Sequence, residues 1–286
     1  MVSEKNRLND LNGKEWIKRT ISWFTLNVKK RTEKTIKHPG KYPEELVERY
    51  VSFFTKKDEW VIDPFVGVGS TLIACQNLQR NAVGIDLNEE FITITKNRLS
   101  QKTIFELTKQ HIIKGDSKEI DKLLKRRFKE KIPLFDFCMT SPPYWNMLSK
   151  QRGGSDSQHR ETKEKGLKLV YSSDEKDIGN IENYSNYLNE LIEIFIKLRN
   201  YLKNKAYLVV VLQNIMDENG NFVPIAWDFC YRMHNYYEIN QEQIWCQTDK
   251  TVGIWGFPTK YVSNVHHHYC LVFRNTKMIE TEENKA

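Results

Sequence analysis

The chain has 286 residues and 40% hydrophobic content, which is enough to bury one substantial core. Its 44 Lys and Arg against 37 Asp and Glu give a formal net charge of +7, which suits a polyanionic partner but also occurs in proteins that bind no nucleic acid. Because the polar start lacks the apolar stretch of a signal peptide and no 18-residue apolar run follows, we expect a soluble, cytoplasmic protein with no membrane partner.

Short apolar runs alternate with helical patterns along the chain, which predicts a mostly parallel sheet covered by helices on both faces. Five of these runs are predicted strands: Trp60–Asp63, Ala82–Asp86, His111–Ile113, Leu134–Met139 and Ala206–Leu212. Helices are predicted at Pro43–Phe54, Ser70–Leu78, Glu89–Leu99, Lys118–Lys129, Tyr184–Leu202 and Val223–Tyr231. With an antiparallel C-terminal pair at Tyr237–Cys246 and Tyr269–Phe273, the predicted α/β fold is a seven-stranded, doubly wound, Rossmann-like sheet.

Residues 1–276 are predicted to form a single domain, followed by a polar tail at 277–286. Two stretches inside the domain do not follow the alternation. Residues 149–177 are rich in Ser, Gly, Gln, Asp and Lys, and this stretch is too long for an ordinary connection. Residues 249–268 are also irregular but carry aromatic side chains and three consecutive histidines. We therefore expect the insertion 149–177 to be a functional or mobile loop and the insertion 249–268 to be more than a linker.

A glycine-containing turn, Asp63-Pro64-Phe65-Val66-Gly67-Val68-Gly69-Ser70, lies between the first predicted strand and the helix after it. It lacks the Gly-Lys-Ser/Thr of a P-loop and the complete G-x-G-x-x-G of a dinucleotide site. The next two strands end in Asp86 and Asp116, and a carboxylate at the end of the second strand can accept hydrogen bonds from ribose hydroxyls. Helix N-capping is the alternative for either aspartate. Together with Asp63 they predict a nucleotide-like cofactor.

The strand Leu134–Met139 is followed by Thr140-Ser141-Pro142-Pro143-Tyr144-Trp145. Two prolines stop the strand and fix a rigid corner that holds polar and aromatic groups at its carboxyl end. Ligands bind at such strand ends in doubly wound sheets. A plain Pro-Pro loop would be the interpretation of this segment alone, but the glycine turn upstream favours a catalytic corner.

The corner and the glycine turn resemble those of the amino-group DNA methyltransferases, whose hallmark is Asp, Asn or Ser followed by Pro-Pro and an aromatic residue. The serine form is closest to the cytosine-N4 branch. The segment His38–Leu46 resembles the one that precedes the glycine turn in this family, and Asp177-Ile178-Gly179 resembles the segment that comes after the corner. The resemblance spans roughly residues 20 to 274.

The resemblance implies S-adenosylmethionine as cofactor, bound by His38, Pro39, Asp63, Pro64, Phe65, Gly67, Gly69, Ser70, Asp86, Leu87 and Asp116. It implies catalysis by Ser141, Pro142, Pro143 and Tyr144. The Ser141 hydroxyl and the Pro142 carbonyl are expected to accept the two hydrogens of an exocyclic amine and to aim its lone pair at the sulfonium methyl. Tyr144 and Trp145 are expected to stack on a flipped-out base, although core packing is an equal alternative for Trp145.

The resemblance implies double-stranded DNA as the partner and leaves open a cognate restriction endonuclease. The candidates for DNA contact lie in the two insertions: Arg152, Arg160, Lys250 and Lys260. We expect no metal, because the five cysteines form no ligand cluster and the adjacent histidines 266–268 would point to opposite faces of a strand.

Other activities are also compatible with the sequence. An adenine-N6 DNA methyltransferase shares the cofactor site and differs chiefly in having Asp or Asn in place of Ser141. An RNA or protein-glutamine methyltransferase and a catalytically inactive DNA-binding subunit are further alternatives. Cytosine-C5 methylation would need a nucleophilic thiolate in a Pro-Cys pair, which the chain lacks, and Cys138 is predicted to be a buried structural residue.

Overall fold

A computed structural model describes residues 7–27, 42–101, 108–145, 174, 176–217, 221–248, 250, 253–254 and 256–276. The strands are β1 (Trp23–Thr25), β2 (Trp60–Asp63), β3 (Asn81–Asp86), β4 (Gln110–Lys114), β5 (Phe135–Thr140), β6 (Leu202–Leu212), β7 (Ile215–Met216), β8 (Phe222–Val223), β9 (Glu238–Cys246) and β10 (His267–Arg274). The α-helices are α1 (Gly13–Arg19), α2 (Glu44–Phe54), α3 (Ser70–Asn77), α4 (Glu89–Ser100), α5 (Ile120–Phe128), α6 (Tyr184–Leu198) and α7 (Ile225–Met233).

Eight strands form one mixed sheet in the order β1-β9-β10-β6-β5-β2-β3-β4. Strands β6, β5, β2, β3 and β4 run parallel to one another, whereas β10 is antiparallel to both β6 and β9. The doubly wound α/β class and the antiparallel C-terminal pair predicted from the sequence are confirmed. The small strands β7 and β8 form a separate antiparallel pair.

Helices cover both faces of the sheet because successive strand residues point to opposite sides. In β5, the Phe137 ring stacks 5.2 Å from Phe54 of α2, in the layer formed by α2 and α3. Its neighbour Cys138 packs in the other layer with side chains of α5, α6 and α7. Cys138 is fully buried, as predicted for a structural cysteine, and burial raises the pKa of its thiol well above the ordinary value.

The strand order reverses between β2 and β5. The chain moves outward from β2 through β3 to β4, and it moves the opposite way from β5 through β6 to β10. Open α/β sheets bind ligands in the crevice outside the carboxyl ends of the strands at such a reversal. The glycine turn after β2 and the corner after β5 therefore lie side by side.

The sheet has one strand more than the seven predicted, because the sequence pattern predicts neither β1 nor the helix before it. Strand β1 has three residues, of which only Phe24 is buried, and it pairs with residues 244–246 at the far end of the sequence. The side chain of Gln243 anchors this segment. It donates to the carbonyl oxygens of Arg19 at 2.8 Å and Ile21 at 2.6 Å, and it accepts from the Tyr50 hydroxyl at 2.9 Å.

Replacing Gln243 with Leu should lower the free energy of unfolding by about 3 kcal/mol, since buried polar groups that lose their partner cost about 1–3 kcal/mol each. Urea denaturation measures the change. Gln241→Leu is the control, because Gln241 is exposed on the same strand. If both variants lost the same stability, β1 would be anchored by contacts other than Gln243.

Candidate active site

A cleft of about 830 Å³, part of it open to solvent, lies where the strand order reverses. The predicted site residues that line it are Pro64, Phe65, Gly67, Ser70, Asp86, Leu87, Asp116, Ser141 and Pro143. Further lining comes from side chains that the sequence did not single out as site residues, among them Tyr42, Phe91, Lys176 and Asp177. Both the glycine turn and the corner after β5 thus contribute to one cleft.

The two glycines of the turn differ in role. Gly67 lines the cleft, and its N–H donates to Oδ2 of Asp86 at 2.8 Å. Gly69 begins α3 in the left-handed region at φ 85°, and a Cβ there would lie 2.4 Å from Cγ2 of Thr95 on α4. The absence of a side chain at Gly69 therefore permits the close packing of α4 against the turn.

Asp86 is the last residue of β3 and lines the cleft. Its carboxylate accepts from the N–H groups of Gly67 and Asn88, both at 2.8 Å. Burial raises the pKa of Asp86 to about 7, although these two hydrogen bonds act in the opposite direction. The side chain of Asn88, and not that of Asp86, caps helix α4. The N-capping alternative is thus wrong for Asp86.

Asp116 combines the two roles considered for it. Its side chain accepts from Lys118 N–H at 2.9 Å and caps the short 3-10 turn Ser117–Glu119, while it also lines the cleft. Asp177 is a third lining carboxylate with only 8% exposure, and its burial raises its pKa. Three carboxylates therefore surround the same space, which favours a cationic or hydroxyl-rich ligand.

Asp63 lies beneath the cleft, fully buried. Its carboxylate accepts four hydrogen bonds, from Tyr42 Oη at 2.9 Å, Thr71 Oγ1 at 2.5 Å, Thr140 Oγ1 at 2.6 Å and the N–H of Phe65 at 2.9 Å. Burial nonetheless raises the pKa of Asp63. Asp63 does not line the cleft. Its hydrogen bonds instead join the elements that surround the cleft.

The corner after β5 is held from both sides. Thr140 is tied to Asp63, and the hydroxyl of Tyr187 on α6 donates to the carbonyl oxygen of Pro143 at 2.8 Å. Between these anchors Ser141 lines the cleft, and its hydroxyl donates to the carbonyl oxygen of Val211 at 3.1 Å. A serine oxygen is thereby fixed at the edge of the carboxylate-lined space.

Besides Thr140, three corner residues do not line the cleft, namely Pro142, Tyr144 and Trp145. Tyr144 is 6% exposed, and its hydroxyl lies 3.3 Å from Ser141 Oγ and 3.1 Å from Nδ1 of His268. The indole N–H of Trp145 donates to the carbonyl of Ile181 at 2.8 Å, and its ring lies 5.0 Å from that of Tyr184. For Trp145 this arrangement favours core packing, and base stacking by either ring stays a prediction.

Sequence reasoning missed His268 as a site residue. Its ring lies between Tyr144 Oη and Oε1 of Gln247, at 3.1 and 3.2 Å, and stacks on Trp245. The pairing of β10 with β6 brings it beside the corner, and that pairing joins residues far apart in sequence. The signal that could have found it is the inward alternation of strand β10, where His268 shares a face with Cys270 and not with His267.

Several predicted residues fall outside the described ranges: His38, Pro39, Arg152 and Arg160, together with nearly all of the insertion 149–177 and the tail 277–286. Lys250 and Lys260 are described, and both lie in the loop 247–266 that joins β9 to β10. Because Cys246 pairs with His267 next to the corner strands, this loop leaves the sheet at the edge where the cleft lies.

Neither a metal cluster nor a membrane span is found among the described residues. They contain no group of three or more His, Cys, Asp or Glu side chains placed to hold a metal ion. Nor does any helix in this part of the chain combine the length and apolar character needed to cross a membrane.

Comparison with known sequences gives matches that cover part of the chain. The N6/N4 methyltransferase family model, described as DNA methylase, matches residues 3–97. The type II methyltransferase M2.LlaDCHI of Lactococcus lactis subsp. cremoris is 36% identical over 85 residues, 29% of this chain and 32% of that protein. The type II methyltransferase M2.DpnII of Streptococcus pneumoniae is 39% identical over 77 residues, 27% of this chain and 29% of that protein. The matched segments thus span less than a third of these relatives.

An rRNA methylase from Streptococcus thermophilus is among the solved structures similar to this one, with a TM-score of 0.46 and 10% identity over 84% of this chain and 99% of that chain. This likeness is too distant to bear on the reaction. The family match carries more weight, because residues 3–97 contain the glycine turn and Asp86 at the centre of the cleft. Over residues 3–97 the chain is therefore similar to the N6/N4 methyltransferase family, described as DNA methylase.

Proposed function

We propose that this protein transfers a methyl group from S-adenosylmethionine to the N4 amino group of cytosine in DNA, as a site-specific modification enzyme. The observation that carries the proposal is the Ser141 hydroxyl, fixed on a proline corner at the edge of a cleft that also contains the glycine turn and Asp86. The type II naming of the relatives supports a role beside a cognate restriction endonuclease.

The residues of the cleft fit the proposed cofactor. The Asp86 oxygens each keep a lone pair beyond the backbone hydrogen bonds they accept, so they suit the ribose hydroxyls. Leu87 and Phe91 offer an apolar wall for the adenine, and the carboxylates of Asp116 and Asp177 suit the cationic groups of the ligand. When bound, S-adenosylmethionine supplies an electrophilic methyl group on a sulfonium.

An exocyclic amine is a poor nucleophile because its lone pair is delocalised into the base ring. Ser141 Oγ at the edge of the cleft would accept one amino hydrogen, and the resemblance assigns the other to the carbonyl of Pro142, a residue that does not itself line the cleft. The two acceptors would orient the nitrogen and localise its lone pair. Pro142 fixes the backbone so that these acceptors stay in place. A base inside the duplex stack is out of reach, so the target nucleotide must be flipped into the cleft.

Ser141 also supports the choice of base. A serine hydroxyl is neutral and short, and the resemblance links this form of the corner to cytosine N4, whereas the adenine-N6 enzymes have Asp or Asn. The family match ends at residue 97, before the corner, and does not distinguish cytosine N4 from adenine N6 as the target. Cytosine is therefore proposed on the strength of Ser141 alone.

The loop 247–266 supplies a surface suited to DNA. Hydrogen bonds join its two arms, from Gln247 N–H to the carbonyl of His266 at 2.7 Å and between Gly253 and the Asn264 side chain at 2.9 Å. At its tip, Phe257 is 80% exposed and Tyr261 is 91% exposed. Exposed rings on a braced loop beside the cleft are suited to stack on bases near the flipped nucleotide.

Cofactor affinity should fall as the pH drops below about 7. In the free protein the pKa of Asp86 is about 7, whereas ribose hydroxyls donating to the carboxylate favour its ionised form and lower the pKa in the complex. Binding below pH 7 must then release a proton, so affinity should weaken about tenfold for each pH unit. Isothermal titration calorimetry from pH 5 to 8 measures this dependence.

Asp86→Asn should bind the cofactor at least about tenfold more weakly at pH 8, because a charge-assisted hydrogen bond is lost, and should show little pH dependence. Glu90→Gln is the matched control, since Glu90 is an exposed carboxylate on the adjacent helix. A wild-type affinity that stays constant from pH 5 to 8 would be inconsistent with Asp86 as the ribose ligand.

The proposed reaction is tested by incubating the protein with methyl-labelled cofactor and duplex DNA, digesting the DNA to nucleosides and identifying the labelled base. N4-methylcytosine is the expected product. N6-methyladenine would overturn the choice of base. Label that enters only RNA or protein would remove DNA as the substrate.

Ser141→Ala removes the hydroxyl acceptor, so the rate of methyl transfer should fall by at least about a hundredfold while cofactor affinity stays within about twofold. Ser100→Ala is the control, because Ser100 is exposed at the end of α4. Loss of cofactor binding in Ser141→Ala would contradict the division of roles between the corner and the glycine turn.

Replacing both Phe257 and Tyr261 with Ala should raise the Kd for duplex DNA at least about tenfold, because each aromatic stack on a base contributes about 1–3 kcal/mol. Fluorescence anisotropy with labelled duplex measures the Kd. Tyr231→Ala is the control, since Tyr231 is 78% exposed on α7 outside the loop. Equal effects of the two changes would exclude a specific role for the loop tip.

A further inference from the structure

Four side chains form a chain of polar contacts behind the catalytic corner. Ser141 Oγ lies 3.3 Å from Tyr144 Oη, which lies 3.1 Å from Nδ1 of His268. On the other side of that ring, Nε2 lies 3.2 Å from Oε1 of Gln247. The backbone carbonyl of Val211 lies 3.1 Å from Ser141 Oγ and 3.4 Å from Tyr144 Oη.

The chemistry of the end groups fixes the direction of these hydrogen bonds. The amide oxygen of Gln247 can only accept, so Nε2 of His268 carries a hydrogen. Burial against Trp245, with Lys250 and His267 nearby, lowers the pKa of His268 to about 3, so the ring is neutral at physiological pH. A neutral ring with its hydrogen on Nε2 has a lone pair on Nδ1, and the Tyr144 hydroxyl must donate to it.

We propose that His268 is a positioning residue that keeps the oxygen of Ser141 an acceptor towards the cleft, by drawing the only hydroxyl hydrogen of Tyr144 away from it. This inference rests on the proposed function. With the Tyr144 hydrogen on His268, the two groups nearest Ser141 behind the cleft are acceptors, namely Tyr144 Oη and the Val211 carbonyl. The Ser141 hydroxyl then donates its hydrogen to one of these acceptors, and the lone pairs of Ser141 Oγ remain available to an amine.

Without the acceptor at Nδ1, the Tyr144 hydroxyl can turn its hydrogen towards Ser141 Oγ at 3.3 Å. A lone pair that should receive an amino hydrogen would then be occupied. The proposed effect is on the chemical step, because His268 does not line the cleft and has no place in cofactor binding. His268 therefore acts on the reaction only through Tyr144.

The test is a double-mutant cycle on single-turnover methyl transfer to DNA, using His268→Leu, Tyr144→Phe and the double variant. His268→Leu should slow transfer at least about tenfold, with cofactor Kd and DNA Kd within about twofold. His268→Asn should recover most of the rate, because its amide oxygen takes the place of Nδ1. In the Tyr144→Phe background, His268→Leu should cause no further loss.

Additive losses in the cycle would overturn the inference, since His268 would then act independently of the Tyr144 hydroxyl. A rate for His268→Asn as low as that for His268→Leu would also overturn it. Either result leaves the proposed function standing as long as the wild-type protein methylates DNA.

A second measurement does not depend on methyl transfer. Nitrogen-15 NMR of the labelled histidine rings, with His268→Asn to assign the signal, reports the tautomer of His268 in the free protein. The neutral form with hydrogen on Nε2 is expected at pH 7. A charged ring or hydrogen on Nδ1 would overturn the inference, whereas the expected tautomer in a protein that methylates no DNA would overturn the proposed function alone.

Discussion

The buried carboxylate of Asp63 is the interaction on which the site depends. A charge without solvent is costly unless it is fully hydrogen-bonded, and Asp63 meets this requirement with four donors. These donors come from the segment before α2, the glycine turn, helix α3 and the end of β5. Because one carboxylate binds all four donors, a shift in any of these elements would cost the buried Asp63 side chain one of its hydrogen bonds.

This constraint sets the relation between the two halves of the cleft. The glycine turn presents Asp86 from one side of the strand reversal, and the corner presents Ser141 from the other. The bond from Thr140 to Asp63 fixes the start of the corner, and the bond from Tyr187 to the Pro143 carbonyl fixes its end. The proposed methyl transfer requires two reactants at a defined separation, and a rigid connection between their binding groups is a physical means to hold that separation.

Apolar periodicity and the local spacing of motifs are sufficient to predict most of the strands and the motifs of the site. The seven longer strands, the glycine turn, Asp86 and Ser141 follow from apolar runs and from motifs at strand ends, and the structure brings these motifs together. The sequence could not predict β1, whose three residues are stabilised by Gln243 from the other end of the chain. Nor could it show that Asp63 and Tyr144 turn inward, or that His268 stands behind Tyr144, because those contacts arise from the pairing of distant strands.

The surroundings of the corner suit a serine in particular. A carboxylate at position 141 could only accept hydrogen bonds, whereas a serine hydroxyl always has one hydrogen to donate. With the Tyr144 hydrogen donated to His268 as proposed, the Val211 carbonyl at 3.1 Å and the Tyr144 oxygen at 3.3 Å are both acceptors for the Ser141 hydroxyl. A carboxylate facing those two oxygens would be repelled by the carbonyl dipole and would need a donor in its place. The corner and the groups behind it therefore form one unit, in which the identity of residue 141 is matched to the polarity of its neighbours.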